Sequence, residues 1–194
     1  MQAKAVCRLI TLVVLVGLPG HLFAETPIQT LQATLDRLQQ ALRDPRLGEE
    51  SRAQQGWDLL LARVDVREMS QRILGSSWAG PVAQQEAFLA AFTAFMHRTF
   101  APKLAQLKEA SLRCRAEEIH GARAKVMASV ETPDGEIPLT FRLHQQASEW
   151  KIYDVALDDG RFSLVSSYRA QLQGILHTAS FEDMLRVIRD TNAR

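Results

Sequence analysis

The chain has 194 residues, with 23 Lys and Arg against 22 Asp and Glu, a formal net charge of +1. That is enough for one domain with a core and a cavity and too few for two comfortable domains. The near-neutral balance leaves no basic surplus with which to hold nucleic acid.

Lys4 and Arg8 precede the apolar run "LITLVVLVGL", and Ala24 offers a small residue for cleavage, so residues 1–24 read as a secretory signal peptide. The apolar run, residues 9–18, is far shorter than the roughly 20 residues needed to span a bilayer. Removing this segment leaves 21 basic and 22 acidic residues, formally −1. Cys7 leaves with the signal and precedes the apolar run, so it is not placed as a lipidated cysteine. Cys114 then stands alone, which rules out an internal disulfide even in an oxidising compartment, and the core must hold the fold. It reads as a small strand residue.

Helical signals follow. Thr26-Pro27 is an N-cap with proline in the first turn, and Ile28, Leu31, Leu35, Leu38 and Leu42 repeat at helical spacing until Asp44-Pro45. A second helix over residues 51–62 carries Trp57, Leu60 and Leu61. Asp65, with Glu68 three residues on, opens a third, in which Val66, Met69, Ile73 and Leu74 share a face and which Gly75 stops. "GSSWAGPV" has glycines at phosphate-loop spacing, but Pro81 and Val82 stand where Lys and Ser/Thr are needed, so it reads as a loop. The longest helix covers residues 81–100. Its Phe88, Leu89, Phe92, Phe95, Met96 and Phe100 span an arc wide enough for two neighbours, as either a central core helix or a cavity wall. Pro102 bends or restarts it before Leu104 and Leu107.

Beyond Lys108 the period changes to that of strands. "SLRCRAEEI", "ARAKVMASVET", "IPLTFRLHQ" and "WKIYDVAL" are four strand-like runs, with a hairpin turn at "TPDGE". Short connections imply an antiparallel meander. Ala122, Ala124, Val126, Ala128 and Val130 share one face, as do Ile137, Leu139, Phe141 and Leu143. In the last run strict alternation puts Ile152 and Ala156 on one face and Tyr153, Val155 and Leu157 on the other, so both faces need cover. Two helices close the chain, one lined by Leu164, Val165, Tyr168, Leu172, Ile175 and Leu176, the other by Phe181, Met184, Leu185 and Ile188. The expected architecture is α+β: a curved four-stranded antiparallel sheet with several helices packed on its apolar face.

Reactive groups are sparse. His97, His120, His144 and His177 are scattered without metal-ligand spacing, no GxSxG surrounds a serine, and Asp158-Asp159 before Gly160 is a turn former. No catalytic or metal-binding residue is assigned, and no cofactor is expected. Asp154, an acid inside an apolar strand, is the one group that a small-molecule enzyme on a cone-shaped α+β fold could use. Bonding of its side chain to helix-terminal amides would make it structural instead. A plain interaction protein with a packed interior is the third possibility, and it predicts no cavity larger than a few waters.

Three stretches in order resemble the MlaC family of periplasmic phospholipid-shuttle proteins, also called toluene-tolerance auxiliary proteins: "VDVREMSQRILGSSW" (64–78), "QQEAFLAAFTAFMHRTFAPKL" (84–104), and "WKIYDVALDDGRFSLVSSYRAQLQGIL" (150–176) followed by "FEDMLRVIRD" (181–190). The passage "ALDDGRFSL" is longer than the family's usual one, which alters the expected pocket mouth. The resemblance implies a pocket for phospholipid acyl chains enclosed by sheet and helices, with the headgroup at the mouth. It implies a monomeric carrier in the Gram-negative periplasm, moving lipid between an outer-membrane lipoprotein complex and an inner-membrane ABC transporter complex and so maintaining outer-membrane asymmetry. A hopanoid or other polycyclic lipid is the alternative cargo. Carried over by position, the lining residues are Met69, Ile73, Phe92, Phe95, Val126, Val130, Leu139, Phe141, Tyr153, Val155, Phe162, Leu164 and Tyr168.

Overall fold

A computed structural model describes residues 25–132, 135–158 and 160–191. The expected signal peptide, Asp159 and the tip of the "TPDGE" turn lie outside the described residues. The chain runs through α1 (Pro27–Arg43), α2 (Glu49–Leu61), α3 (Val66–Leu74), α4 (Val82–Leu104), β1 (Ser111–His120), β2 (Arg123–Thr132), β3 (Gly135–Gln146), β4 (Glu149–Leu157), β5 (Phe162–Ser163), α5 (Leu164–Leu176) and α6 (Phe181–Asp190).

Local chemistry fixes the helix starts. The Thr26 hydroxyl accepts from the Gln29 amide while the Gln29 side chain accepts from the Thr26 amide, a complete capping box ahead of Pro27. Asp65 caps α3 at the Glu68 amide, and Ser163 caps α5 at the Ser166 amide. Gly75 ends α3 with φ of +56°, a conformation glycine adopts without strain, but the following residues are not the open loop expected: Gly75–Ala79 form a 3-10 turn. Helix α4 runs through Pro102 instead of restarting, and a second 3-10 turn, Ala105–Lys108, follows it.

The strands form one antiparallel sheet in the order β1-β2-β3-β4-β5, so the expected meander gains a short fifth strand. Its edges are covered. Along β1 the Gln32 side chain of α1 accepts from the Cys114 amide and reaches the Leu112 carbonyl, while Glu117 accepts from the Ile28 amide. Along β4 the Arg63 carbonyl and Asp65 amide bracket Ile152, and β5 pairs with Ala156 and Leu157. Small Ala124 and Ala128, both buried on β2, suit the close approach of α1, which packs on β1 and β2.

One expectation about β4 fails. Arg142 pairs with Asp154 but Leu143 pairs with Ile152, so Tyr153 is an extra residue in β4, a bulge. The bulge resets the alternation. Ile152, opposite Leu143, shares a face with Val155 and Leu157, opposite Phe141 and Leu139, whereas Asp154 and Ala156 belong to the other face. A second irregularity leaves Arg115 unpaired in β1.

Candidate functional site

Helix α4 supplies the centre. Phe88, Phe92 and Phe95 lie four and three residues apart on one side, and all are buried. Phe88 stacks on Phe92 with centroids 5.6 Å apart. Tyr168 of α5 meets Phe92 and Phe95 edge-on at 5.8 and 5.3 Å, the geometry that ring quadrupoles favour. Burial pushes the Tyr168 phenol above its usual value. Met69 and Ile73 of α3, and Val126, Val130 and Phe141 of the sheet, are buried in the same apolar cluster, against which Leu139, Tyr153 and Val155 pack half-buried. Most of the expected lining residues are thus brought together.

Phe162 behaves differently: it is 62% exposed, paired with Leu157 at 44%, and Ile137 opposite Val130 is 46% exposed. With half-buried Leu139 and Val155 they make an uncovered row across β3, β4 and β5, continuous with the buried face of the sheet. Half-buried Leu164 follows at the start of α5. In this structure Phe162 therefore stands at the outer end of the apolar face and is not enclosed by it.

Tyr153 is clamped. The Arg72 guanidinium lies 4.1 Å from its ring centroid, and His144 meets it edge-on at 5.8 Å. His144 Nε2 in turn lies 3.0 Å from Asp65 Oδ2, and Arg72 pairs with Glu68 at 2.5 Å, so the bulge is fastened to α3 at its N-cap and its last turn.

Asp154 is 2% exposed and fully engaged. Its carboxylate accepts from Arg142 Nη1 at 2.5 Å, from the Ser163 hydroxyl at 2.7 Å and from the Val165 amide in the first turn of α5 at 3.1 Å. This is a cap and an ion pair joining β3, β4 and α5, and it assigns the one candidate acid to structure. Among the described residues no cluster of His, Cys, Asp and Glu could hold a metal ion. Cys114 is half-buried, and burial, with Asp36 nearby, pushes its thiol up to about 11, away from nucleophilic use.

Between α4, α5 and α6 lies a crevice of about 70 Å³ lined by Phe92, Phe95, Tyr168, Gln171, Leu172, Ile175, Val187, Ile188 and Thr191. At about 30 Å³ per water it has room for two, the leeway expected of a packed interior, and it is well below the roughly 300–1,000 Å³ of typical ligand pockets. Side chains therefore close around it in this form of the protein, which is what the packed-interior alternative expected and not the open acyl-chain pocket that the resemblance implied, and an acyl chain enters only if the walls part. A larger groove, about 630 Å³ and wide open, runs over Trp57, Leu89, Ala90 and His97 and contains none of the expected lining residues. Leu172, Ile175 and Ile188 were missed as lining residues. Their helical periodicity is visible in the sequence, but nothing there shows that α5 and α6 converge on α4.

The family model for "MlaC protein" matches residues 29–190. Among solved structures, a phospholipid-binding protein from Ralstonia solanacearum, determined in complex with a phospholipid, superposes with a TM-score of 0.77; it is 20% identical, over 87% of this chain and 98% of that one. The two share a fold. The comparison with curated proteins finds no significant match.

Proposed function

This chain belongs to the MlaC family, whose model covers residues 29–190, and from that premise we propose that it is a periplasmic phospholipid carrier and not an enzyme. The observation that carries the reading is the apolar cluster. It runs from the Phe92, Phe95 and Tyr168 rings, along the Val126, Phe141 and Val155 face of the sheet, to the exposed row at Ile137, Leu157 and Phe162. The phospholipid bound by the Ralstonia solanacearum relative, which shares the fold, supports the same class of cargo.

A two-chain lipid with about 30 methylenes loses about 0.8 kcal/mol for each one moved into water, roughly 25 kcal/mol in all. Unassisted transit is therefore negligible. A carrier whose interior is about as apolar as a bilayer makes exchange nearly isoenergetic in either direction, so partners can set the direction. We propose an inner-membrane ABC transporter complex and an outer-membrane lipoprotein complex as those partners, and residues 1–24 as the signal that sends the chain to the periplasm. The interior must widen on loading, with acyl methylenes replacing the side-chain contacts that now close it. Tyr153, clamped by Arg72 and His144, and Asp154, bonded to the start of α5, are fixed points about which that widening occurs.

Transfer of a fluorescent phospholipid from donor to acceptor vesicles tests this. The protein should accelerate transfer in proportion to its concentration, and transfer no faster than in buffer alone refutes the reading.

A further inference from the structure

Helix α6 packs chiefly on α4 and α5 and is joined to α5 by the short turn at residues 177–180. Its buried Met184, Leu185 and Ile188 face inward, and Ile188, with Val187 and Thr191, forms one wall of the crevice that Phe92, Phe95 and Tyr168 close from the other side. No charged side chain lines that crevice, and Tyr168, Gln171 and Thr191 supply its polar atoms. Its lining suits uncharged hydrocarbon. At the far end of α6 the exposed Arg98 of α4 donates through Nη2 to the carbonyls of Ile188 and Arg189, at 3.1 and 3.2 Å. Such last-turn carbonyls lack intrahelical partners and carry the negative end of the helix dipole, so a guanidinium there fastens the helix. Because Arg98 is exposed, water can replace it at small cost.

The other boundaries of the interior are tied more firmly. β1 through β4 are joined by long antiparallel ladders, α1 is bonded along the β1 edge, and the Asp154 carboxylate joins α5 to the sheet.

We propose that the crevice between α4, α5 and α6 is where a lipid acyl chain passes into and out of the interior, with α6 as its cover and Arg98 as the latch. The proposal rests on the phospholipid-carrier reading. An incoming chain takes over the contacts of Met184, Leu185 and Ile188 as α6 swings away about the 177–180 turn.

The test uses the whole protein in a Cys114→Ser background carrying Arg98→Cys and Arg189→Cys. These positions are adjacent, since Arg98 reaches the Arg189 carbonyl. A short, reductant-cleavable bis-maleimide bridges them, and fluorescent phosphatidylethanolamine transfer between phosphatidylethanolamine/phosphatidylglycerol vesicles is followed. Bridging should slow transfer roughly tenfold or more, and cleavage should restore it. Arg98→Ala, without a bridge, should raise the transfer rate roughly two- to fivefold while leaving the lipid bound at equilibrium unchanged. A bridged protein that transfers lipid at the unbridged rate overturns the proposal and leaves the carrier reading standing. An unsubstituted protein that takes up no lipid overturns both.

Discussion

Asp154→Asn replaces the carboxylate that joins two strands to α5 with a neutral group of the same shape. The amide can still accept from Val165, but Arg142 loses its counter-ion and the new NH₂ group faces the guanidinium that the carboxylate received. Breaking a buried pair from one side costs about 3–5 kcal/mol. Arg142 is 28% exposed and can recover part of its hydration, so the low end, about 3 kcal/mol, is expected. At about 2–4 °C per kcal/mol for a domain of this size, Tm should fall by about 6–12 °C. Urea unfolding followed by circular dichroism gives the free energy directly, and Arg142→Ala with the double variant completes the cycle. The double should cost less than the sum of the singles by about 2 kcal/mol, as for groups in one network. If Asp154→Asn costs under about 1 kcal/mol, or the two changes simply add, the carboxylate is not the staple between sheet and helix.

Gly75→Ala should destabilise by about 1–3 kcal/mol in the same urea assay, because φ of +56° strains any side chain there and its Cβ would lie 3.2 Å from both Arg169 Nη2 and Gln173 Nε2; a neutral change would show that the α3 terminus can rearrange freely. The Cys114 thiol, pushed up to about 11, should react with iodoacetamide at pH 8 far more slowly in the native protein than after unfolding, and equal rates would contradict its burial. Ser180→Ala removes the hydroxyl that accepts from the Asp183 amide at the start of α6 and should cost about 1 kcal/mol of stability at neutral pH. The Ser180 hydroxyl and amide hold the Asp183 carboxyl below its usual range, so its contribution is complete above the unfolded-state value and fades as pH falls through the lowered folded one. The stability gap between wild type and Ser180→Ala should therefore narrow in acid, and a gap that widens would reverse the assigned sign.

Local signals carried over from sequence to structure where the physics is local. The Thr26 and Asp65 helix starts, the even-numbered apolar face of β2 and the helical periodicity of α4 each depend on residues within a turn or two of one another. The failures involve partners far apart in the chain. Residues 150–157 read as a strand apolar on both faces because alternation was counted through Tyr153; a bulge is set by pairing with β3 and leaves no mark in the strand's own composition. Once Tyr153 is taken out of the count, Ile152, Val155 and Leu157 fall on one face, and Asp154 is free to cap α5 from the other. The exposed position of Phe162 at the sheet edge and the convergence of Leu172, Ile175 and Ile188 on the α4 aromatics are likewise set by long-range packing that periodicity cannot register.

The central claim is that the closed apolar interior opens around hydrocarbon, and native mass spectrometry of the protein expressed in a Gram-negative host and purified without detergent tests it most directly. The account predicts a species heavier than the polypeptide by one two-chain phospholipid, released on denaturation and identifiable after extraction. A mass equal to the polypeptide alone, with no extractable lipid, would contradict it, and a rigid polycycle in place of the phospholipid would overturn the assigned cargo.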